Sequence, residues 1–159
     1  MPVEIERKFL VKSDAWRKTA GIGRRFCQGH ISKGSLSSVR VRRAADKAYL
    51  TVKGARIGIA RAEFEYEIPV EHAEEMLQSL CAKPLLEKTR YCVIYDDVTW
   101  EIDVFAGPAE GLVVAEVELS SVDQEVSMPE WIGVEVTNDP RYRSSSINLA
   151  PRDVTSKQT

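Results

Sequence analysis

Apolar and charged residues alternate along much of the chain, and this pattern predicts β-strands. In residues 61–68, every second side chain is apolar and those between are charged. Alternate side chains of a strand point to opposite faces, so such a stretch has one apolar and one ionic face. Turn-forming residues separate the alternating stretches. The predicted antiparallel strands span residues 3–11, 24–32, 37–45, 48–54, 60–69, 85–95, 98–105, 112–119 and 134–137.

Helical spacing is confined to short stretches. Apolar residues recur at i, i+3, i+7 and i+10 from Val70 to Leu80, which predicts one amphipathic helix over residues 70–81. A short helix is expected after Ser13 and Asp14, and another over residues 120–126. The fold class is therefore mainly β (α+β). We expect a single domain over residues 1–150 and a polar, flexible tail at 151–159.

Seven of the predicted strands carry a face that is almost purely ionic, with both signs of charge. One interpretation is a sheet with a solvated face. The other is a closed barrel of eight antiparallel strands with the ionic faces inward, since closure removes exposed edges. Unpaired buried charge is costly, so such a lumen must be wet and filled by a ligand. The direction of the ionic face stays open at this point.

The acids come as close pairs on one face: Glu4 with Glu6, Glu63 with Glu65, and Glu116 with Glu118. Like charges at this spacing are unfavourable unless a cation lies between them. Mg²⁺ and Mn²⁺ prefer several carboxylate oxygens. An oligophosphate with such a metal would satisfy both signs of charge, because Lys and Arg bind phosphate oxygens.

Composition narrows the classes of partner. Lys and Arg total 22 and Asp and Glu total 24, giving a net charge of -2, so nucleic acid is not an expected partner. Three cysteines without a C-x-x-C pair predict neither a disulfide framework nor a zinc site. No segment approaches the ~20 apolar residues of a membrane span, and the charged N-terminus predicts no signal peptide. We expect a cytoplasmic protein without a membrane partner.

The residues Glu4-Ile5-Glu6-Arg7-Lys8 contain the E-x-E-x-K signature of the CYTH superfamily, or triphosphate tunnel metalloenzymes, which the chain resembles. Further family motifs follow in order: Gln28-Gly29, Val39–Arg42, Leu50–Lys53, Arg61–Glu65, Glu87–Tyr91, Asp103 before Phe105-Ala106-Gly107, Glu116–Glu118, and Glu135–Thr137 with Tyr142. The resemblance spans residues 3–149. Two positions depart from it: His30 stands where the family often has Tyr, and Ser144 where it usually has Asn.

The resemblance implies an eight-stranded antiparallel tunnel that binds a triphosphate with Mg²⁺ or Mn²⁺, as two ions. The implied phosphate-binding residues are Lys8, Arg40, Arg42, Lys53, Lys88 and Arg90. The implied metal ligands are Glu4, Glu6, Asp103, Glu116 and Glu118. Lys8 is expected to act in catalysis, and Glu63 or Glu65 to accept the proton from water.

The leading hypothesis is metal-dependent hydrolysis of inorganic tripolyphosphate to pyrophosphate and phosphate. A class IV adenylate cyclase, a thiamine triphosphatase or a nucleoside triphosphatase of the same superfamily are alternatives, with an organic triphosphate as substrate. A non-catalytic polyphosphate-binding module is a third. No Ser-His-Asp or Cys-His set is visible, which disfavours a covalent acyl mechanism. A homodimer is possible, because the outer strand faces carry more Val, Phe, Tyr and Trp than a few helices can cover.

Overall fold

A computed structural model describes residues 2–150; the predicted tail at 151–159 lies outside the described residues. The strands are β1 (Val3–Val11), β2 (Arg24–Lys33), β3 (Ser37–Ala44), β4 (Lys47–Gly54), β5 (Ala60–Ile68), β6 (Leu86–Tyr95), β7 (Val98–Ala106), β8 (Val113–Glu118) and β9 (Ile132–Glu135). Helix α1 spans Val70–Ser79. Short 3-10 helices lie at Ala15–Thr19, Gly107–Ala109, Pro140–Tyr142 and Ile147–Leu149.

The first eight strands close into an antiparallel barrel, as the sequence predicted. Neighbouring strands follow the order β5-β4-β3-β2-β6-β7-β8-β1, and a β1–β5 pairing with Glu4 opposite Arg61 completes the ring. Strand β9 joins the barrel at the other end of β1, where Phe9 lies opposite Glu135. One edge of β1 pairs with β5 along its first residues and with β9 along its last residues. Neither end of this edge is therefore left without a hydrogen-bonded neighbour.

Tight hairpins set the register of the wall. Asp96 and Asp97 have φ values of 51° and 64° in the two-residue turn between β6 and β7. Asp tolerates this left-handed backbone, which matches the twist of the flanking strands. The turn places Arg90 directly opposite Asp103.

Two of the three helix predictions were confirmed, and one was wrong. Helix α1 and the short helix after Asp14 both form. The helix predicted over residues 120–126 does not form, and the segment is a bend and one turn followed by irregular chain. There the backbone N–H and the hydroxyl of Ser120 both donate to Oε1 of Gln124, at 2.6 and 2.9 Å. The side chain of Gln124 thus satisfies the backbone N–H of Ser120, and local side-chain hydrogen bonds of this kind compete with regular secondary structure.

Much of the apolar packing lies outside the barrel wall. Trp16, Trp100 and Trp131 belong to one buried cluster on the outer faces of β1, β7 and β8. Helix α1 covers a second cluster, which includes Val41 and Ala48. These layers cover much of the outer face that suggested a homodimer, and the dimer stays a prediction. No helix in residues 2–150 has the length and apolar character to cross a membrane.

A third apolar cluster closes part of the barrel interior. Leu10 shares the inward face of β1 with Lys8, and Phe105 shares that of β7 with Asp103. Both are buried with Tyr142 and Ile147 from the segment that follows β9. This apolar plug fills one part of the lumen, so the ionic side chains are confined to the rest.

Candidate active site

The ionic faces of the strands point into the barrel and line one cavity of about 520 Å³. Its walls include all six predicted phosphate-binding residues, namely Lys8, Arg40, Arg42, Lys53, Lys88 and Arg90. They also include the predicted acids Glu4, Glu6, Glu63, Glu65, Glu116 and Glu118. The inward direction, which the sequence left open, excludes a sheet whose ionic face is merely solvated.

Asp103 is buried behind the cavity wall, where it anchors two of the cations that line the cavity. Its Oδ2 accepts from Nζ of Lys88 at 2.8 Å, and Nε and Nη2 of Arg90 donate to its two oxygens at 2.7 and 2.9 Å. Burial alone would raise the pKa of Asp103, but Arg90 and Lys88 hold it well below its usual range. Burial lowers the pKa of Lys88 to about 7 despite the neighbouring Asp103.

The expectation that Asp103 is a metal ligand therefore fits the structure poorly. The residue is 1% exposed and lies behind Lys88 and Arg90, outside the cavity wall. Both oxygens are already engaged by charge-assisted hydrogen bonds, the strongest class in proteins. The geometry indicates a positioning residue that fixes the two cations.

A second group of charges surrounds the Lys53 ammonium, which lies 2.8 Å from Oε2 of Glu4 and 3.4 Å from Oε2 of Glu63. Although burial favours the neutral acid, Lys53 lowers the pKa of Glu4 to about 2. Burial and the adjoining Glu4 raise the pKa of Glu63 to about 7. The two carboxyl groups therefore differ in charge near neutral pH, although they share one lysine.

Glu6 lies among other acids. It is directly opposite Glu118 in the β1–β8 register. Burial raises the pKa of Glu6 to about 8, and the negative charges of Glu116 and Glu4 contribute to the shift. A carboxyl group that retains a proton at neutral pH for this reason would lose it readily to a divalent cation, since metal binding requires the carboxylate form.

Lys8 lies on the same strand as Glu4 and Glu6 and is paired with Glu116 of the neighbouring strand β8. Its ammonium donates to the carbonyl oxygen of Tyr142 at 2.9 Å and lies 3.3 Å from Oε2 of Glu116. Arg90 contacts the other oxygen of Glu116 at 3.4 Å. Burial opposes ionisation of Glu116, but Lys8 and Arg90 lower its pKa below the usual value.

The opposite wall carries two arginines from β3. Nη2 of Arg40 lies 3.8 Å from Oε2 of Glu65, and Thr51 donates its hydroxyl to the same carboxylate at 3.0 Å. Arg42 donates from Nε to Oε1 of Gln28 at 2.9 Å. Burial and the neighbouring Arg40 and Arg90 lower the pKa of Arg42 to about 9. An anion between these guanidinium groups would relieve their repulsion.

The alternation of β2 and β7 places two further side chains in the cavity that the sequence prediction omitted. Phe26 lies under the guanidinium groups of Arg42 and Arg90, at 4.7 and 5.3 Å from its ring centroid, in cation–π geometry. Glu101 contacts Arg90 at 3.3 Å. Both share the inward face of a predicted strand, with Gln28 and Asp103 respectively, so the period of two was the signal that would have identified them.

The two departures from the family pattern, His30 and Ser144, also line the cavity. His30 lies opposite Arg40 in the β2–β3 register. Burial lowers the pKa of His30 to about 4, and the positive charges of Arg40 and Lys33 contribute to the shift. The imidazole is therefore neutral at physiological pH. It can accept or donate one hydrogen bond at this end of the cavity but adds no charge.

The carboxylates fit a hard divalent cation by their chemistry, since their donor atoms are all oxygen. Within residues 2–150, no three acidic, His or Cys side chains are gathered closely enough to form a ready metal cage. The ammonium groups of Lys8 and Lys53 lie against Glu116 and Glu4 instead. A bound metal would replace the two ammonium groups at these carboxylates, and the ammonium groups would then be available to phosphate oxygens.

Comparison with known proteins agrees with this geometry. The CYTH domain model matches residues 2–153. An inorganic triphosphatase of Acetivibrio thermocellus is 50% identical over 151 residues, which cover 95% of this chain and 96% of the relative. An inorganic triphosphatase of Nitrosomonas europaea is 36% identical, with 92% and 97% covered. The crystal structure of an inorganic triphosphatase superposes with a TM-score of 0.64 at 34% identity, covering 92% of this chain and 98% of that one.

The family match extends over nearly the whole chain, and the same residues carry the E-x-E-x-K strand, the ionic lumen and the closed barrel. On these grounds the chain belongs to the CYTH domain family.

Proposed function

We propose that this chain is a metal-dependent triphosphate hydrolase that cleaves inorganic tripolyphosphate to pyrophosphate and phosphate inside its barrel. The observation that carries the proposal is the convergence of Lys and Arg side chains from β1, β3, β4 and β6 on one cavity that also holds oxygen ligands. The names of the relatives at 50% and 36% identity support the inorganic substrate.

Substrate binding rests on the six cations of the cavity, which we call the phosphate clamp: Lys8, Arg40, Arg42, Lys53, Lys88 and Arg90. Asp103 orients Lys88 and Arg90, while Gln28 orients Arg42. Phosphoryl transfer depends mainly on positioning and charge neutralisation, and a preorganised set of cations supplies both. Arg donors also match phosphate oxygens in bidentate geometry.

The metal ligands in this proposal are Glu4, Glu6, Glu116 and Glu118, with Mg²⁺ or Mn²⁺ as the cation and two ions as the expected number. The cation supplies charge neutralisation at the phosphate oxygens and lowers the pKa of the attacking water. Lys8 and Lys53 contact Glu116 and Glu4, and with a cation on those carboxylates the two ammonium groups would be available to phosphate oxygens.

Glu63 is the stronger candidate for the general base, with Glu65 as the alternative. The pKa of Glu63 is raised to about 7, so it can both accept and release a proton near neutral pH. Glu65 is held by Thr51 and Arg40 instead. Lys8, fixed by the Tyr142 carbonyl, is placed to stabilise negative charge that develops on the phosphate oxygens.

The test is phosphate release from the purified protein with tripolyphosphate, pyrophosphate, ATP or thiamine triphosphate, each in Mg²⁺, Mn²⁺ or EDTA. We expect release from tripolyphosphate that EDTA abolishes and that exceeds release from ATP. Preference for an organic triphosphate would replace the proposal with a nucleotide or thiamine triphosphatase. Formation of cyclic AMP would indicate a cyclase, and binding without turnover in any metal would indicate a binding module.

A homodimer is a further part of the proposal, which light scattering with size-exclusion chromatography tests. Exposed apolar side chains such as Val3, Tyr66 and Val134 on the outer wall support it. A measured mass that corresponds to one chain would contradict the homodimer. A cytoplasmic location likewise stays a prediction.

A further inference from the structure

Three arginines outside the phosphate clamp lie at one mouth of the cavity: Arg56 in the β4–β5 hairpin, Arg61 at the start of β5, and Arg143 after β9. We call them the mouth arginines. Arg61 donates from Nε and Nη2 to the carbonyl oxygen of Gly54, at 3.1 and 2.9 Å. Among residues 2–150, none of the three forms a salt bridge with a carboxylate.

Two of the three arginines, Arg56 and Arg143, have a buried Nε donor without a partner. Nε of Arg56 and Nε of Arg143 are shielded from solvent, and neither has a hydrogen-bond acceptor in the described part of the chain. Burial, then the positive charge of Arg56 and less strongly that of Arg143, lower the pKa of Arg61, while Glu4 and Glu6 oppose the shift. An unpaired buried donor on a cation is unfavourable, so this arrangement points to an anion that the cluster is built to bind.

The cluster adjoins the phosphate clamp. Lys53 immediately precedes Gly54, whose carbonyl Arg61 holds, and Arg61 lies opposite Glu4 in the barrel wall. Other donors line the same mouth, including the hydroxyls of Ser38, Ser144 and Ser145 and the Lys33 ammonium. An anion held here would lie next to the end of a triphosphate that is bound at Lys53.

We propose that the mouth arginines bind an additional phosphate of a linear inorganic polyphosphate, one that extends past the three units held by the phosphate clamp. This subsite gives tetrapolyphosphate and longer chains tighter binding than tripolyphosphate. Guanidinium groups with hydroxyls suit a phosphate, because each offers directed donors to its oxygens. The inference rests on the proposed function, since it assumes that the clamp takes three phosphates.

The experiment compares tripolyphosphate with tetrapolyphosphate. Calorimetry in EDTA gives the dissociation constant of each, and steady-state kinetics in Mg²⁺ gives KM and kcat for each. The variants are Arg56→Gln and Arg143→Gln, with Arg141→Gln as the matched control. Arg141 lies two residues before Arg143, but it is exposed and paired with Asp139 at 2.7 Å.

We expect wild type to bind tetrapolyphosphate more tightly than tripolyphosphate. Each mouth variant should weaken tetrapolyphosphate binding about tenfold, the usual effect of losing one charged hydrogen bond, and tripolyphosphate binding by less than about twofold. The control should change neither. Because the two variants remove mutually repelling charges, their melting temperatures without ligand should equal or exceed that of wild type, which confirms that they fold.

Two results would overturn the inference alone: equal weakening for both ligands, which would place the arginines in the triphosphate clamp, or no weakening for either. If the variants fail to fold, Arg56→Lys and Arg143→Lys keep the charge while removing the buried Nε donors, and the same comparison is made with them. Failure of wild type to bind or hydrolyse tripolyphosphate at all would instead refute the proposed function.

Discussion

Replacement of Asp103 by Asn tests the positioning role that the structure gives to this buried carboxylate. The substitution keeps the shape of the side chain but removes the negative charge that faces Lys88 and Arg90. The structure predicts a loss of stability rather than a loss of metal binding. This outcome separates an anchoring carboxylate from the metal ligand that sequence motifs implied.

The magnitude follows from burial. Removing one partner of a buried ion pair typically costs about 3–5 kcal/mol, because a charge is left uncompensated. The pKa of Lys88 is already lowered to about 7, and loss of Asp103 lowers it further, so Lys88 becomes neutral. Arg90 keeps Glu116 at 3.4 Å and Glu101 at 3.3 Å. We therefore expect the lower end of the range, about 3 kcal/mol, or roughly 6–12 °C in melting temperature for a domain of this size.

The assay is urea denaturation at pH 7 in EDTA, followed by far-UV circular dichroism. Asp139→Asn is the control, because its partner Arg141 is exposed and such pairs contribute little. It should unfold like wild type. Tripolyphosphate should recover part of the stability of the Asp103 variant, because an anion in the lumen compensates Arg90. Identical unfolding curves for Asp103→Asn, Asp139→Asn and wild type would refute the anchoring role.

Three further substitutions test the metal site, the clamp and the packing of the wall. The raised pKa of Glu6, about 8, means that the folded metal-free protein binds a proton that the unfolded chain releases near pH 4.5. Wild type should therefore lose stability relative to Glu6→Gln as pH rises from 5 to 8 in thermal melts with EDTA, and Mg²⁺ should remove that difference. Arg40→Ala should raise KM for tripolyphosphate about tenfold or more while the fold persists, measured by steady-state kinetics; an unchanged KM would exclude Arg40 from the clamp. Gly29→Ala should cost roughly 1–3 kcal/mol in urea denaturation, because its Cβ would lie 2.8 Å from Cδ2 of Leu85, whereas Gly21→Ala, with 3.9 Å to its nearest atom, is the tolerated control.

The period of two along the strands predicted the strands and which side chains share a face, and the family resemblance implied the closed barrel. The period placed Glu63 and Glu65 on one face and Phe64 on the other, and antiparallel pairing then brought the ionic faces together. What it could not give was direction, because an ionic face is equally compatible with bulk solvent. Charges of both signs on seven strands favoured the lumen only through the energetic cost of leaving them unpaired.

Features that depend on strand register or on loop conformation could not be predicted from the sequence. Asp103 shares the inward face with Glu101, yet its role follows from lying opposite Arg90, a relation that the β6–β7 turn fixes. Arg56 and Arg143 lie outside the strands, where no period identifies a face. The apolar plug was not predicted either. Phe105 lies on the same inward face of β7 as Asp103, but at a position where the lumen is apolar and no longer charged.

If the inward face of the barrel hydrolyses a triphosphate, two adjacent residues of β1 that point in opposite directions should differ in their effect on the reaction. Lys8 points into the cavity, whereas Arg7 points outward to Glu135, which it contacts at 2.7 Å. The measurement is the initial rate of phosphate release from tripolyphosphate in Mg²⁺ for Lys8→Gln and Arg7→Gln. We expect Lys8→Gln to lose about 100-fold or more and Arg7→Gln to stay within about twofold of wild type. Equal rates for the two variants, whether both high or both low, would contradict the claim.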